Sequence, residues 1–155
     1  MENLYDGGRH PQLYAKKSGG NYHERATAVK RCKVEVKPSL GRGRGVFAIE
    51  PISCDEVIES CPIIAFEPKY RAALEATPLY DYLYGWSDDC REVAIALGYG
   101  SLYNHSDEPN ASYHRNRSRN AIDFIATKFI AAGEEITISY LNSFDSPKKL
   151  WFTAV

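Results

Sequence analysis

No Cys-x-x-Cys pair occurs in these 155 residues, and no cluster of cysteine with histidine. Cys32, Cys54, Cys61 and Cys90 stand singly along the chain. That argues against a structural zinc site, whose ligands gather at short, repeated spacings. Nor is there an apolar run near the ~20 residues that cross a bilayer. The N-terminus lacks a basic start followed by an apolar stretch and a cleavage site. These absences lead to the expectation of a soluble, intracellular protein with reduced thiols. No internal repeat or low-complexity block is present, which sets aside solenoids and arrays. The formal net charge is only −1, which argues against general affinity for nucleic acid or membrane.

What is present is an ordinary globular mixture, 44% hydrophobic and 25% charged, of a length that suits one core. Eleven tyrosines stand out. Tyrosine combines an aromatic body with a hydroxyl, so an excess suits a polar-lined channel, although strands also enrich it. Charge is unevenly spread. Residues 1–49 hold ten Lys/Arg against four Asp/Glu, and residues 50–92 hold three against ten. The acidic middle third could draw a basic peptide, or serve simply as solvated surface.

Residues 1–30 read as an arm or tail, with paired glycines, scattered charge and no periodicity. From Lys33 onward the pattern is that of short strands: Val34 to Val36, then Val46 to Ile49 after a glycine-rich turn. Glu56 to Ser60 and Ile63 to Phe66 read as two strands parted at Cys61-Pro62, where the proline suggests an edge or bend. Lys69 to Ala76 is the best helix, stopped by Thr77-Pro78. The run Tyr80-Asp81-Tyr82-Leu83-Tyr84 follows. Val93 to Leu97 leads to Gly98 and Gly100, places for positive φ or close backbone approach. Asn120 to Thr127 and Glu135 to Tyr140 read as a hairpin turning at Ala131-Ala132-Gly133. On its second strand Ile136, Ile138 and Tyr140 share the inward face. The fold class expected is α+β, mostly β, with a small helical insert.

Three motifs carry chemistry. Gly41-Arg42-Gly43-Arg44-Gly45 lets backbone amides approach a ligand, but it is neither a phosphate loop nor a dinucleotide fingerprint. By itself it reads as a tight turn. Gly100-Ser101-Leu102-Tyr103-Asn104-His105-Ser106-Asp107-Glu108-Pro109-Asn110-Ala111 is more specific, with Pro109-Asn110 forcing a turn. His105 has no companion ligands at metal spacing. The third motif is Gly133-Glu134-Glu135-Ile136-Thr137-Ile138-Ser139-Tyr140. Taken alone, its Tyr140 reads as a core tyrosine.

In this order and at these separations, residues 33–144 resemble the SET-domain protein lysine methyltransferases. The similarity is greatest to small stand-alone viral and bacterial members. The resemblance implies a SET (β-clip-like) fold with a C-terminal pseudoknot, over residues 31–145, with residues 146–155 as a tail. It implies transfer of a methyl group from S-adenosylmethionine to a lysine, leaving S-adenosylhomocysteine, with no metal. Arg42, Gly43, Arg44, Asn104 and His105 would bind the cofactor, and Tyr140 would be the catalytic tyrosine. Tyr82 and Tyr113 would line the substrate channel, with Tyr103 and Phe144 as further packing residues of core or channel. The partner would be a protein with an exposed lysine, a histone tail among the candidates, without direct nucleic-acid or membrane binding. That places the protein in the cytoplasm or on chromatin. Three departures stand out: the flanking zinc-binding cysteines are absent, Asp107 replaces a common cysteine with little effect expected, and Ile138 replaces the Phe or Tyr that limits product methylation. The apolar residues after Tyr140 suggest either fold-back of the tail or a homodimer.

The chemistry fits such a channel. A lysine with pKa near ~10.4 must attack as the neutral amine, and a dry, tyrosine-walled channel facing a sulfonium favours that form. Two rivals are a non-catalytic SET module that binds a partner and a β-rich nucleic-acid adaptor. The adaptor would use Arg115, Arg117 and Arg119 along one strand face, a pattern that solvated surface also explains.

Overall fold

The computed structural model describes residues 32–140. The arm over 1–30, Phe144 and the tail after Tyr140 lie outside the described residues. Among the described residues, nine strands and one α-helix follow in chain order. They are β1 (Val34–Ser39), β2 (Gly43–Ala48), β3 (Val57–Phe66), α1 (Arg71–Glu75), β4 (Leu83–Gly85), β5 (Val93–Ala96), β6 (Asn104–His105), β7 (Ala111–Asn116), β8 (Ala121–Ala126) and β9 (Glu135–Ile138). One sheet has the order β1-β2-β9-β6 and the other β4-β5-β3-β8-β7. Short 3-10 turns join several of them. No helix among the described residues is long and apolar enough to cross a membrane.

Alternation of side chains buries one face of each sheet. Val46, Ala48, Ile136 and Ile138 of the first sheet and Ala94, Ala96, Ile122 and Phe124 of the second belong to one apolar core. Tyr103 is the largest side chain fully buried in it. The helix α1 buries no side chain and is a surface insert, shorter than its alanine- and leucine-rich sequence suggests. Thr77 ends it and caps the next 3-10 turn, its side chain accepting from the Leu79 amide at 3.2 Å.

The pairing differs from the sequence reading in three places. The two strands expected on either side of Cys61-Pro62 are one strand, β3, central in its sheet. It pairs with β8 up to Pro62↔Ala121 and with β5 from Ile63↔Ala96. Leu97 N donates to Pro62 O at 2.8 Å, so only the return bond toward Leu97 is lost, where β5 has already ended. A proline is tolerated in a central strand because the partner changes there.

The hairpin expected between 120–127 and 135–140 does not form. Its strands β8 and β9 lie in different sheets. The connection passes Ile130, which bridges Ile52 by bonds of 2.9 Å in both directions, and so leaves one sheet for the other. The hairpin partner of β8 is β7, across a turn closed by Asn120 at φ +47°. The third difference concerns the arginines. Only Arg115 lies on a strand, while Arg117 and Arg119 form the turn. Arg115 donates to Ser87 O at 2.7 Å and Arg117 to Asp88 at 2.7 Å, so these two guanidinium groups brace a loop instead of forming a strip for phosphates.

Candidate active site

Strand β9 enters between β2 and β6, antiparallel to the first and parallel to the second. This insertion assembles the Gly-Arg turn, the Asn104-His105 segment and the last motif. Glu135, the first residue of β9, is the hub. Its carboxylate accepts from Ser39 Oγ at 3.0 Å, Arg42 at 3.2 Å and Asn104 Nδ2 at 2.7 Å. Three donors, one of them cationic, satisfy a carboxylate withdrawn from water. Asn104 Nδ2 also donates to Arg44 O at 3.1 Å, and Arg42 donates to His105 O at 3.0 Å. The contact needs Gly45: a Cβ there would overlap the Glu135 carboxylate and stand 2.8 Å from Asn104 Nδ2. Asn110, 3% exposed, stitches the same strand by donating to Glu135 O at 2.9 Å and accepting from Thr137 N at 2.8 Å.

The residues expected to bind the cofactor, Arg42, Gly43, Arg44, Asn104 and His105, therefore meet at one place. Glu135 was missed, although it stands in the quoted motif directly before the inward Ile136. At the edge of this network Gly43 holds φ +75° with open space where a side chain would point. The buried Arg42 Nε has no hydrogen-bond partner among the described residues.

Tyr140 follows β9 and adjoins this network. Its amide donates to His105 Nδ1 at 3.1 Å, and the two rings lie 5.3 Å apart. An amide can only donate, so Nδ1 is the acceptor and the neutral ring carries its proton on Nε2. Nε2 faces Asp107 Oδ1, on a largely exposed side chain, at 3.2 Å. Both ring nitrogens of His105 are thus engaged within the protein. The Tyr140 hydroxyl donates to Tyr103 O at 2.7 Å. With its proton committed there, the phenolic oxygen keeps lone pairs to accept with.

Further tyrosines gather beside it. Tyr84 donates to Gly100 O at 2.6 Å and meets Tyr113 edge-on at 5.0 Å. Tyr82 and Asp81 lie near enough to act electrostatically on Tyr140. Burial pushes the Tyr140 hydroxyl up to about 12, with nearby Arg42 opposing in part. Burial likewise raises Tyr113, and Tyr84 well above the ordinary phenol value. All three are neutral phenols near pH 7. Tyr82 lies near Tyr140, and Tyr113 lies against Tyr84. Tyr103, expected in core or channel, is 1% exposed, stacks on Phe124 at 4.5 Å and donates to Glu59. Only its carbonyl reaches Tyr140. Tyr84 was missed because the aromatic run conceals where the 3-10 turn ends and β4 begins. Ile138 is fully buried in the core.

Residues 43–141 match the SET domain family. The chain belongs to that family. SET methyltransferases use S-adenosylmethionine, and this chain is a protein-lysine methyltransferase of that class. It is 35% identical over 123 residues to a histone-lysine N-methyltransferase specific for lysine 37 of histone H3 from Schizosaccharomyces pombe, covering 79% of this chain and 78% of that one. The structure is similar to the crystal structure of a Plasmodium falciparum protein assigned as a candidate histone methyltransferase. There the TM-score is 0.57 and the identity 36%, over 72% of this chain and 96% of the other. Among the described residues no group of three or more His, Cys, Asp or Glu side chains could hold a metal ion.

Proposed function

We propose that this chain methylates the ε-amine of a lysine in a basic protein segment, with a histone tail as the first candidate and chromatin as the place of action. The observation that carries the reading is the Tyr140 hydroxyl, fixed on Tyr103 O at 2.7 Å beside the Asn104-His105 segment. S-adenosylmethionine supplies a methyl group activated by its sulfonium. Arg42, Gly43, Arg44, Asn104 and His105 would hold it. The residues fit the group: the unmatched Arg42 Nε donor lacks an acceptor, which a methionyl carboxylate provides, and the turn at Gly43 leaves room for close approach.

Tyr140, Tyr84, Tyr113 and Tyr82 would surround the lysine side chain. Their rings exclude water, and the neutral hydroxyls of Tyr140, Tyr84 and Tyr113 give no charge to stabilise an ammonium. The Tyr140 oxygen orients the amine and accepts weak C–H···O contacts from a polarised methyl group. Most of the work is alignment, worth ~7–11 kcal/mol in favourable intramolecular geometries. The excess of Asp/Glu over Lys/Arg in residues 50–92 supports a basic partner. Pairing of two copies of the chain stays part of this reading. A peptide array exposed to labelled S-adenosylmethionine tests the substrate class. Label confined to lysine-containing basic peptides supports the reading, and label that survives replacement of every lysine by arginine overturns it.

The pH profile follows from the tyrosines. Burial disfavours the phenolate, so Tyr140 stays protonated until its pKa of about 12. The lysine gains its lone pair as pH rises toward ~10.4. Methyl transfer should therefore increase through pH ~10 without a falling limb from Tyr140. Initial rates with saturating cofactor check this. A bell with its descending limb near pH ~9 would show a far less shielded Tyr140.

A further inference from the structure

One acidic side chain set into the interior takes no part in the site described above. Glu59 stands on β3, where the register against β8 slips between Val57 and Glu59. Such a bulge re-aims the side chain beside it. Glu59 is half-buried, and it shares a strand face with Cys61, which is 2% exposed. The Tyr103 hydroxyl donates to its Oε1 at 2.8 Å. The Tyr99 amide and the Cys61 thiol lie near enough to favour the charged carboxylate. One carboxylate thus holds residue 103 and lies beside residue 99, the two ends of a short segment.

That segment presents two carbonyls to the tyrosine group. Gly100 O accepts from Tyr84 at 2.6 Å, and Tyr103 O accepts from Tyr140 at 2.7 Å. Its interior is tightly seated: a Cβ on Gly100 would lie 2.6 Å from Ala96 Cβ and 2.9 Å from Cys61 Sγ. Withdrawing a carboxylate from water is costly, and burial does push the Glu59 carboxyl above the usual range despite its donors. Packing alone gives no reason to prefer an acid here to an apolar side chain.

We infer that Glu59 is a positioning residue for methyl transfer: by holding the Tyr103 hydroxyl it fixes the carbonyl that aims the Tyr140 hydroxyl. The inference rests on the proposed role of Tyr140. It is tested with Tyr103→Phe, Glu59→Ala and Glu59→Gln, each in the otherwise unchanged chain and together with Tyr140→Phe. The readouts are single-turnover rate, S-adenosylmethionine affinity by calorimetry, and circular dichroism. Tyr103→Phe and Glu59→Ala should slow transfer by about tenfold with cofactor affinity within about twofold, because only orientation is disturbed. Glu59→Gln keeps an acceptor for Tyr103 and should recover most of the rate. Combined with Tyr140→Phe, the same changes should cost much less, since the hydroxyl they aim is gone. Should Glu59→Ala not fold, Tyr103→Phe and Glu59→Gln carry the comparison. Losses that multiply fully with Tyr140→Phe, or that fall equally on cofactor affinity, would overturn the inference. If Tyr140→Phe itself transfers at the normal rate, it is the role of Tyr140 that fails.

Discussion

Replacing Tyr140 by phenylalanine is expected to slow single-turnover methyl transfer by about 100-fold or more, while S-adenosylmethionine affinity stays within a few-fold. The ring of Tyr140 packs against the core and its amide holds His105 Nδ1, and both survive the substitution. Only the hydroxyl is lost, together with its bond to Tyr103 O. In the proposed function that hydroxyl presents its lone pairs where amine and methyl group would meet, so its loss should fall on the chemical step. Rapid-quench assays with saturating cofactor and peptide measure the rate, and calorimetry measures the affinity. A variant with the normal rate would remove Tyr140 from the mechanism.

Gly45→Ala should act on the other half of the site. The added methyl would overlap the Glu135 carboxylate and crowd Asn104 Nδ2. Both groups are ends of flexible side chains, so the fold can yield, at a typical overpacking cost of ~1–3 kcal/mol. They cannot yield without parting, however. Glu135 is held by Ser39 and Arg42 as well as Asn104, and Asn104 is also tied to Arg44 O. Cofactor affinity should therefore fall by about tenfold or more, the effect of losing roughly one charge-assisted hydrogen bond, in a protein that still melts cooperatively. Asn104→Ala should weaken binding in the same direction. Calorimetry and thermal melting read both effects, and unchanged affinity in Gly45→Ala would mean that the Glu135 network does not shape the cofactor site.

The local features of this site were legible in the sequence, while the long-range ones were not. Gly98 and Gly100 were marked for positive φ or close approach. Gly98 has φ +69°, and Gly100 lies against Ala96, Cys61 and Phe124. Glycine reports such constraints directly, because few other residues meet them. The Asn104-His105 pair and Tyr140 were likewise readable as motifs. Partner choice was hidden. Alternation assigns Ile136 and Ile138 to a buried face, but nothing local says that β9 pairs with β2 and β6 instead of β8. Strand β7 escaped because Ser112, His114, Arg115 and Asn116 give it little apolar signal, as suits an edge strand. Glu59 escaped because the bulge at the start of β3 shifts the alternation that would have marked it as inward-facing.

The most direct test of the account is to locate the transferred methyl group. A basic peptide with one lysine is incubated with the full chain and S-adenosylmethionine, and the product is sequenced by tandem mass spectrometry. The methyl group is expected on the lysine ε-nitrogen, with no product from the matching arginine peptide and little from Tyr140→Phe. A methyl group found on another side chain or on the peptide terminus would contradict it.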